Sequence, residues 1–157
     1  PEAIEENLQI IVPRSQSYEV LDKRPYRVHQ RIVPRYHEGR LVLAGDAAHL
    51  NSPAGGMGLN GGIHDAFELA SALKDILRNS AGLDRFALYD RRRRPIARDQ
   101  IIAQADRNRA RMREKDADRR QDMLRELQAI TSDRDRLHAY LLKSSMIEGY
   151  RQSQAIS

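Results

Sequence analysis

Arg40-Leu41-Val42-Leu43-Ala44-Gly45-Asp46, continuing as Ala47-Ala48-His49-Leu50-Asn51-Ser52-Pro53-Ala54-Gly55-Gly56-Met57-Gly58-Leu59-Asn60, is the stretch on which the reading of this chain turns. Arg40 to Gly45 is short and almost continuously apolar, which predicts a strand buried on both faces, as in a parallel sheet. Six of the chain's nine glycines lie between Gly45 and Gly62. Glycine at that density marks backbone that bends sharply or approaches something closely, and the reading here is that a ligand requires it. Ile63, Phe67, Ala70, Leu73 and Leu77 then recur at helical spacing, predicting a helix from about Asn60 to Arg78 with that face in the core. Strand, glycine loop and helix in this order put the Asp46 carboxylate at a sheet rim, where ligands of open α/β sheets bind. There it can accept hydrogen bonds from sugar-type hydroxyls. The helix start adds unpaired N–H donors and a partial positive charge, which favour a ligand oxygen that bears or gains negative charge.

Outward from this stretch the chain changes character. Upstream, Glu2 to Val12 reads as a short helix with Ile4, Leu8 and Ile11 near one face and Pro13 after its end. Ser17 to Leu21 and Tyr26 to Val33 read as strands, and His37-Glu38-Gly39 as a turn. Downstream the pattern is helical and heavily charged. Leu83 to about Arg113 reads as one or two helices interrupted near Pro95. Asp116 to Ile130 and Asp133 to Tyr150 read as two more, with Thr131 or Ser132 as a cap. The expected fold is α/β, a few strands followed by a mostly helical half. Three regions are drawn: 1–39, 40–79 and 80–157.

The composition sets bounds. The chain has 157 residues, 40% hydrophobic and 31% charged, enough for one domain with a core. Aromatic residues make up 5% and Trp is absent, so Leu, Ile, Val and Ala are expected to build that core. There are no cysteines, which excludes a disulfide scaffold, a thiolate metal site and a Cys nucleophile. No apolar run reaches the roughly 20 residues of a membrane span, and no signal segment opens the chain, so a cytoplasmic location is expected. The chain starts at Pro1 in mid-pattern and is read as a piece of a longer polypeptide.

The residues from Arg40 to His49, then Pro53, then Gly55-Gly56-Met57-Gly58-Leu59-Asn60, resemble the second FAD signature of the class A, para-hydroxybenzoate hydroxylase-like flavin monooxygenases. Gly45-Asp46 and Pro53 are separated by Ala47 to Ser52, as in that signature, and Asp65-Ala66 is also family-like. A flavin has use for such a site: its ribityl chain offers hydroxyls, and its N1–C2=O edge gathers negative charge on reduction. The resemblance implies the C-terminal part of a Rossmann-like FAD-binding monooxygenase fold, with residues 1–39 as the tail of a substrate domain. It implies that Asp46 bonds the ribityl 3′-hydroxyl, that backbone N–H groups of Leu59 and Asn60 hold the pyrimidine edge, and that Gly58 permits their approach. Gly45, Pro53 and Gly56 complete the cofactor set; Pro53, Ala54 and Gly55 lie on the substrate side. It further implies FAD as cofactor, NAD(P)H as co-substrate and hydroxylation of a small aromatic molecule. The family's N-terminal Gly-x-Gly-x-x-Gly loop and its middle motif are absent from these residues, so the piece alone is expected to be inactive. No catalytic residue is assigned.

Other polar residues invite plainer readings. His49 is read as a packed, hydrogen-bonded structural histidine, His64 as structural or exposed, and Asp65 as a support for the loop. His29 and His37 lack metal-ligand spacing, and no metal is expected. The net charge of +5 raises nucleic acid as a partner, but 27 basic and 22 acidic residues are mostly interleaved. The basic run Arg91 to Arg94 reads as a solvated helix face paired with Asp84, Asp90 and Asp99. A non-catalytic, basic helical interaction module is the alternative from another class; it leaves the glycine loop without a purpose. A homo-oligomer, or association with a missing N-terminal part, is expected because the strand edge and apolar helix stripes need covering.

Overall fold

A computed structural model describes residues 2–157. Helix α1 (Glu2–Ile11) ends just before Pro13, as expected, and buries none of its side chains fully. No strand forms over 17–21, and within 26–33 only β1 (Arg31–Ile32) is extended and paired. Strand β1 runs antiparallel to β4 (His49–Leu50), and β2 (His37–Glu38) runs antiparallel to β3 (Leu41–Val42). Gly39, at φ 57°, turns the second pair, so the expected turn at 37–39 is the end of a hairpin.

The expected strand buried on both faces is therefore only a hairpin arm. Leu41 is 67% exposed, because among the described residues β3 has a neighbour on one side only. Every ladder among the described residues is antiparallel, so the parallel sheet expected from Arg40 to Gly45 is not formed within them.

The rest is helical: α2 (Met57–Arg78), α3 (Asp84–Ile96), a π-helical turn (Ala97–Ile102), α4 (Ala103–Arg113), α5 (Ala117–Thr131), α6 (Arg134–Ser144) and α7 (Ile147–Gln154). The interruption expected near Pro95 is the π turn directly after it, where the helix widens without breaking. The single helix expected over 133–150 is two, divided at Met146, which has φ 64°. The caps differ from expectation as well. Asp116 starts α5 and Asp133 starts α6, each accepting backbone N–H groups of its first turn, while Ser132 Oγ donates back to Gln128 O.

The core joins Tyr36, Ala48, Met57, Tyr89, Ala97, Ile101 and Met146 between the hairpin, α2, α3, the π turn and α7. The expectation of a Leu, Ile, Val and Ala core holds for Ile and Ala, with Ile96, Ile101, Ala48, Ala72, Ala97 and Ala105 buried, and fails for Leu and Val. No Leu or Val among the described residues is fully buried, whereas Tyr36, Tyr89 and Phe86 are. The few aromatics are spent inside: the Tyr36 and Tyr89 rings lie 5.8 Å apart, and Tyr89 donates its hydroxyl to Leu43 O at 2.9 Å. Burial pushes both phenols up from their ordinary value, so they stay protonated.

Candidate functional site

Gly45 begins a 3₁₀ turn (Gly45–Ala47) that packs on the start of α2. Its φ is 57°, and a Cβ added to Gly62 of α2 would meet Gly45 Cα at 3.4 Å. The two bare backbones thus lie close where turn meets helix, with room for a Cβ only at van der Waals contact, and the positive φ of Gly45 disfavours any side chain there. Asp46, next along, is exposed, and its carboxylate accepts no hydrogen bond among the described residues. Pro53 and Gly55 are exposed and Ala54 half-buried, in the loop that leads back to α2. Gly55 (φ 120°) and Gly56 (φ 64°) turn the chain into the helix.

Helix α2 begins at Met57, three residues earlier than expected, so Gly58, Leu59 and Asn60 all lie in its first turn. Met57, Gly58 and Leu59 have no intrahelical acceptor for their N–H groups, while the Asn60 N–H makes the first helical bond, to Gly56 O; Gly56 brings no side chain to cap the free ones. Leu59 is 76% exposed and Asn60 is exposed. The outward-facing parts of the expected cofactor set are thus an unpartnered carboxylate and an uncapped helix end on adjoining elements. The glycines do not all wait on a ligand, as the density argument had it. Gly45 and Gly62 serve the contact between turn and helix, and a Cβ on Gly58 would crowd Asn51 Oδ1 at 2.7 Å.

Behind the turn lies a buried ionic cluster. Asp65, 0% exposed, faces inward from α2. Its Oδ2 accepts the Gly45 N–H at 3.1 Å and the His49 Nε2 proton at 2.7 Å; its Oδ1 accepts from Arg93 Nε at 2.8 Å. Burial alone would raise this carboxyl. The hydrogen bonds from His49 and Arg93 and the Arg93 charge outweigh it and hold the group below the usual carboxylate range. An ionised Asp65 can only accept, so His49 carries its proton on Nε2. The plain readings of His49 as structural and of Asp65 as a loop support agree with this geometry.

The reading of Arg91 to Arg94 as a solvated face does not agree. Arg93 is 2% exposed; Arg92 bonds Glu68 at 2.7 Å; only Arg94 pairs as expected, with Asp90 at 2.9 Å. The signal was present in the spacing. Phe86, Tyr89, Arg93 and Ile96 share one helical face, which puts Arg93 alone of the four arginines on the apolar side. Much of this basic run is consumed inside the fold, which leaves little of it for a nucleic-acid partner.

Pro53 and Ala54 line an open groove of about 610 Å³ with Val28, Arg109 and Met112. A second cavity of about 410 Å³, between α2, α3 and α7, contains none of the expected site residues. Among the described residues no group of three or more His, Cys, Asp or Glu is arranged to hold a metal, and no helix is long and apolar enough to cross a membrane.

Residues 1–105 match the family described as "FAD binding domain". The chain belongs to that family. FAD is the family's cofactor, and the exposed Asp46 carboxylate beside an uncapped helix end suits a ligand with hydroxyls and an electron-accepting edge. Among relatives of this chain, 6-hydroxy-3-succinoylpyridine 3-monooxygenase of Pseudomonas putida is 33% identical over 135 residues, 85% of this chain and 34% of the relative. Para-nitrophenol 4-monooxygenase of a Pseudomonas species is 48% identical over 84 residues, 52% of this chain and 21% of the relative. The crystal structure of p-nitrophenol 4-monooxygenase from Pseudomonas putida superposes with a TM-score of 0.75 at 32% identity, covering 91% of this chain and 38% of that one. The chain thus spans about a third or less of the length of these relatives.

Proposed function

We propose that the chain is the C-terminal portion of a flavoprotein monooxygenase that hydroxylates a small aromatic substrate with FAD, NAD(P)H and O2. The observation that carries this is Asp46: a carboxylate left exposed and unpartnered on a turn packed against the uncapped start of α2. Asp46 accepts the ribityl 3′-hydroxyl. The free N–H of Leu59 and, shared with its helical bond to Gly56 O, that of Asn60 hold the pyrimidine edge, where the positive end of α2 favours negative charge. Gly45, Gly56 and Gly58 shape the backbone around them. Pro53, Ala54 and Gly55 face the substrate, on the side of the groove with Arg109 and Met112. Reduced FAD supplies the oxygen chemistry when bound; the protein binds, orients and excludes water.

The relatives act, by their names, on a nitrophenol and a hydroxypyridine, which supports an aromatic ring as substrate. In this reading residues 1–39 close a substrate domain, 40–79 form the second half of the FAD site in a Rossmann-like fold, and 80–157 form a helical region. The short, one-sided β3 suits a strand that is completed by sequence outside this chain, either the N-terminal part or a second copy. A cytoplasmic location accords with an NAD(P)H-dependent enzyme.

The test is Asp46→Ala in the complete polypeptide. FAD affinity is expected to fall about tenfold or more, as for loss of a hydrogen bond to a charged group. An unchanged affinity and flavin spectrum would remove Asp46 from the site.

A further inference from the structure

Three donors from three separate segments converge on the two oxygens of Asp65: Gly45 N–H, His49 Nε2–H and Arg93 Nε–H. Two of these bracket the 3₁₀ turn. Gly45 stands one residue before Asp46 and His49 three after it, so one carboxylate holds the turn at both ends. The Ala48 N–H bond to Gly45 O at 2.8 Å closes the turn between them. Asp65 itself is fully buried and reaches no ligand. A buried ion pair is a weak source of stability compared with apolar packing; what it supplies here is direction. His49 is pinned from its other face too, its ring stacked on Tyr36 at 6.1 Å. Gly45 is pinned against Gly62. Every restraint on the turn comes from inside, and the only side chain it presents outward with a charge is Asp46.

We propose that Asp65 is a positioning residue for Asp46. By gripping Gly45 and His49 it fixes the turn from which the Asp46 carboxylate meets the ribityl hydroxyls, and Arg93 fixes Asp65. The proposal rests on the reading of Asp46 as a flavin ligand.

The experiment is a double-mutant cycle on FAD affinity in the complete polypeptide, using Asp46→Ala, His49→Leu and both together, with His49→Gln as the conservative variant. His49→Leu fills the ring's space without a donor and leaves the Asp65–Arg93 pair intact. It is expected to weaken FAD binding about tenfold, the effect of one charge-assisted hydrogen bond. His49→Gln, which keeps an N–H donor, recovers most of that loss. In the Asp46→Ala background His49→Leu is expected to change affinity by no more than about twofold, because its whole effect passes through Asp46. A loss equally large in that background means that the cluster supports the fold at large, and overturns the proposal. So does wild-type affinity in His49→Leu when Asp46→Ala alone binds weakly. Wild-type affinity in Asp46→Ala alone instead sinks the flavin reading of Asp46, and the proposal with it. If His49→Leu does not fold, Asp65→Asn, which keeps the side chain's shape and one accepting oxygen, is read in the same cycle.

Discussion

Helix α2 has two faces that reverse the usual order. Its buried face carries Met57, Gly61, Asp65 and Ala72: one thioether, two small residues and a carboxylate. Its exposed face carries Leu59, Ile63, Phe67, Leu73 and Leu77, with Phe67 at 76% and Leu77 at 78% exposure. The sequence reading put Ile63, Phe67, Ala70, Leu73 and Leu77 in the core, since an apolar stripe at helical spacing is usually the inner one. Within this chain it is the outer one. The inner face meets the 3₁₀ turn and α3, where backbones approach closely and an ion pair orients them. The lesson is that periodicity finds the face that needs covering, and does not say that the covering lies in the same stretch of sequence.

The buried side of α2 carries the largest expected effect. Arg93→Ala leaves Asp65 buried without its guanidinium and is expected to destabilise the protein by about 3–5 kcal/mol in chemical unfolding. Replacing both, as Asp65→Leu with Arg93→Met, is expected to cost less than Arg93→Ala, because it leaves no buried charge unpaired, only the neutral Gly45 N–H and His49 without their acceptor. A double variant as unstable as Arg93→Ala would contradict that.

The pH dependence gives a smaller effect with a definite sign. The folded Asp65 carboxyl lies below its ordinary value of 3.8, so its contribution is present above that value and is lost as the pH falls through the folded pKa. Unfolding midpoints are expected to be level above about pH 5 and to drop below about pH 4. Asp65→Asn should remove that component of the slope; an identical acid profile in the variant would contradict it.

On the exposed side almost no effect on stability is expected. Phe67→Ser and Leu77→Ser are expected to change the chain's own stability by no more than about 0.5 kcal/mol. Both should lower its self-association in sedimentation, since each removes apolar surface from one stripe. A loss of more than about 1 kcal/mol would show that this face is covered within the chain.

Most helices and their order were legible in the sequence, with an irregularity near Pro95, because Pro and 3.6-residue periodicity act locally; the division at Met146, made by one left-handed residue, was not. The strands were less so. Residues 17–21 alternate as a strand does, but extended pairing needs a partner that local pattern does not supply. The loop from Gly45 to Gly56 and the helix after it were legible through their glycines. The purpose of those glycines was legible only in part, since Gly45 and Gly62 touch each other. Asp65 was recognised as a support, while its partner Arg93 was hidden in a run of four arginines whose neighbours are solvated or half-buried.

The proposed flavin grip joins Asp46 to the first turn of α2. Amide resonances of Leu59 and Asn60 followed during FAD titration of the complete polypeptide test it most directly. Both amides are expected to shift, and that of Leu59, which has no helical acceptor, to become protected from hydrogen exchange, at the FAD concentration that saturates binding; Asp46→Ala is expected to move that concentration upward. FAD binding that leaves both amides unchanged would contradict it.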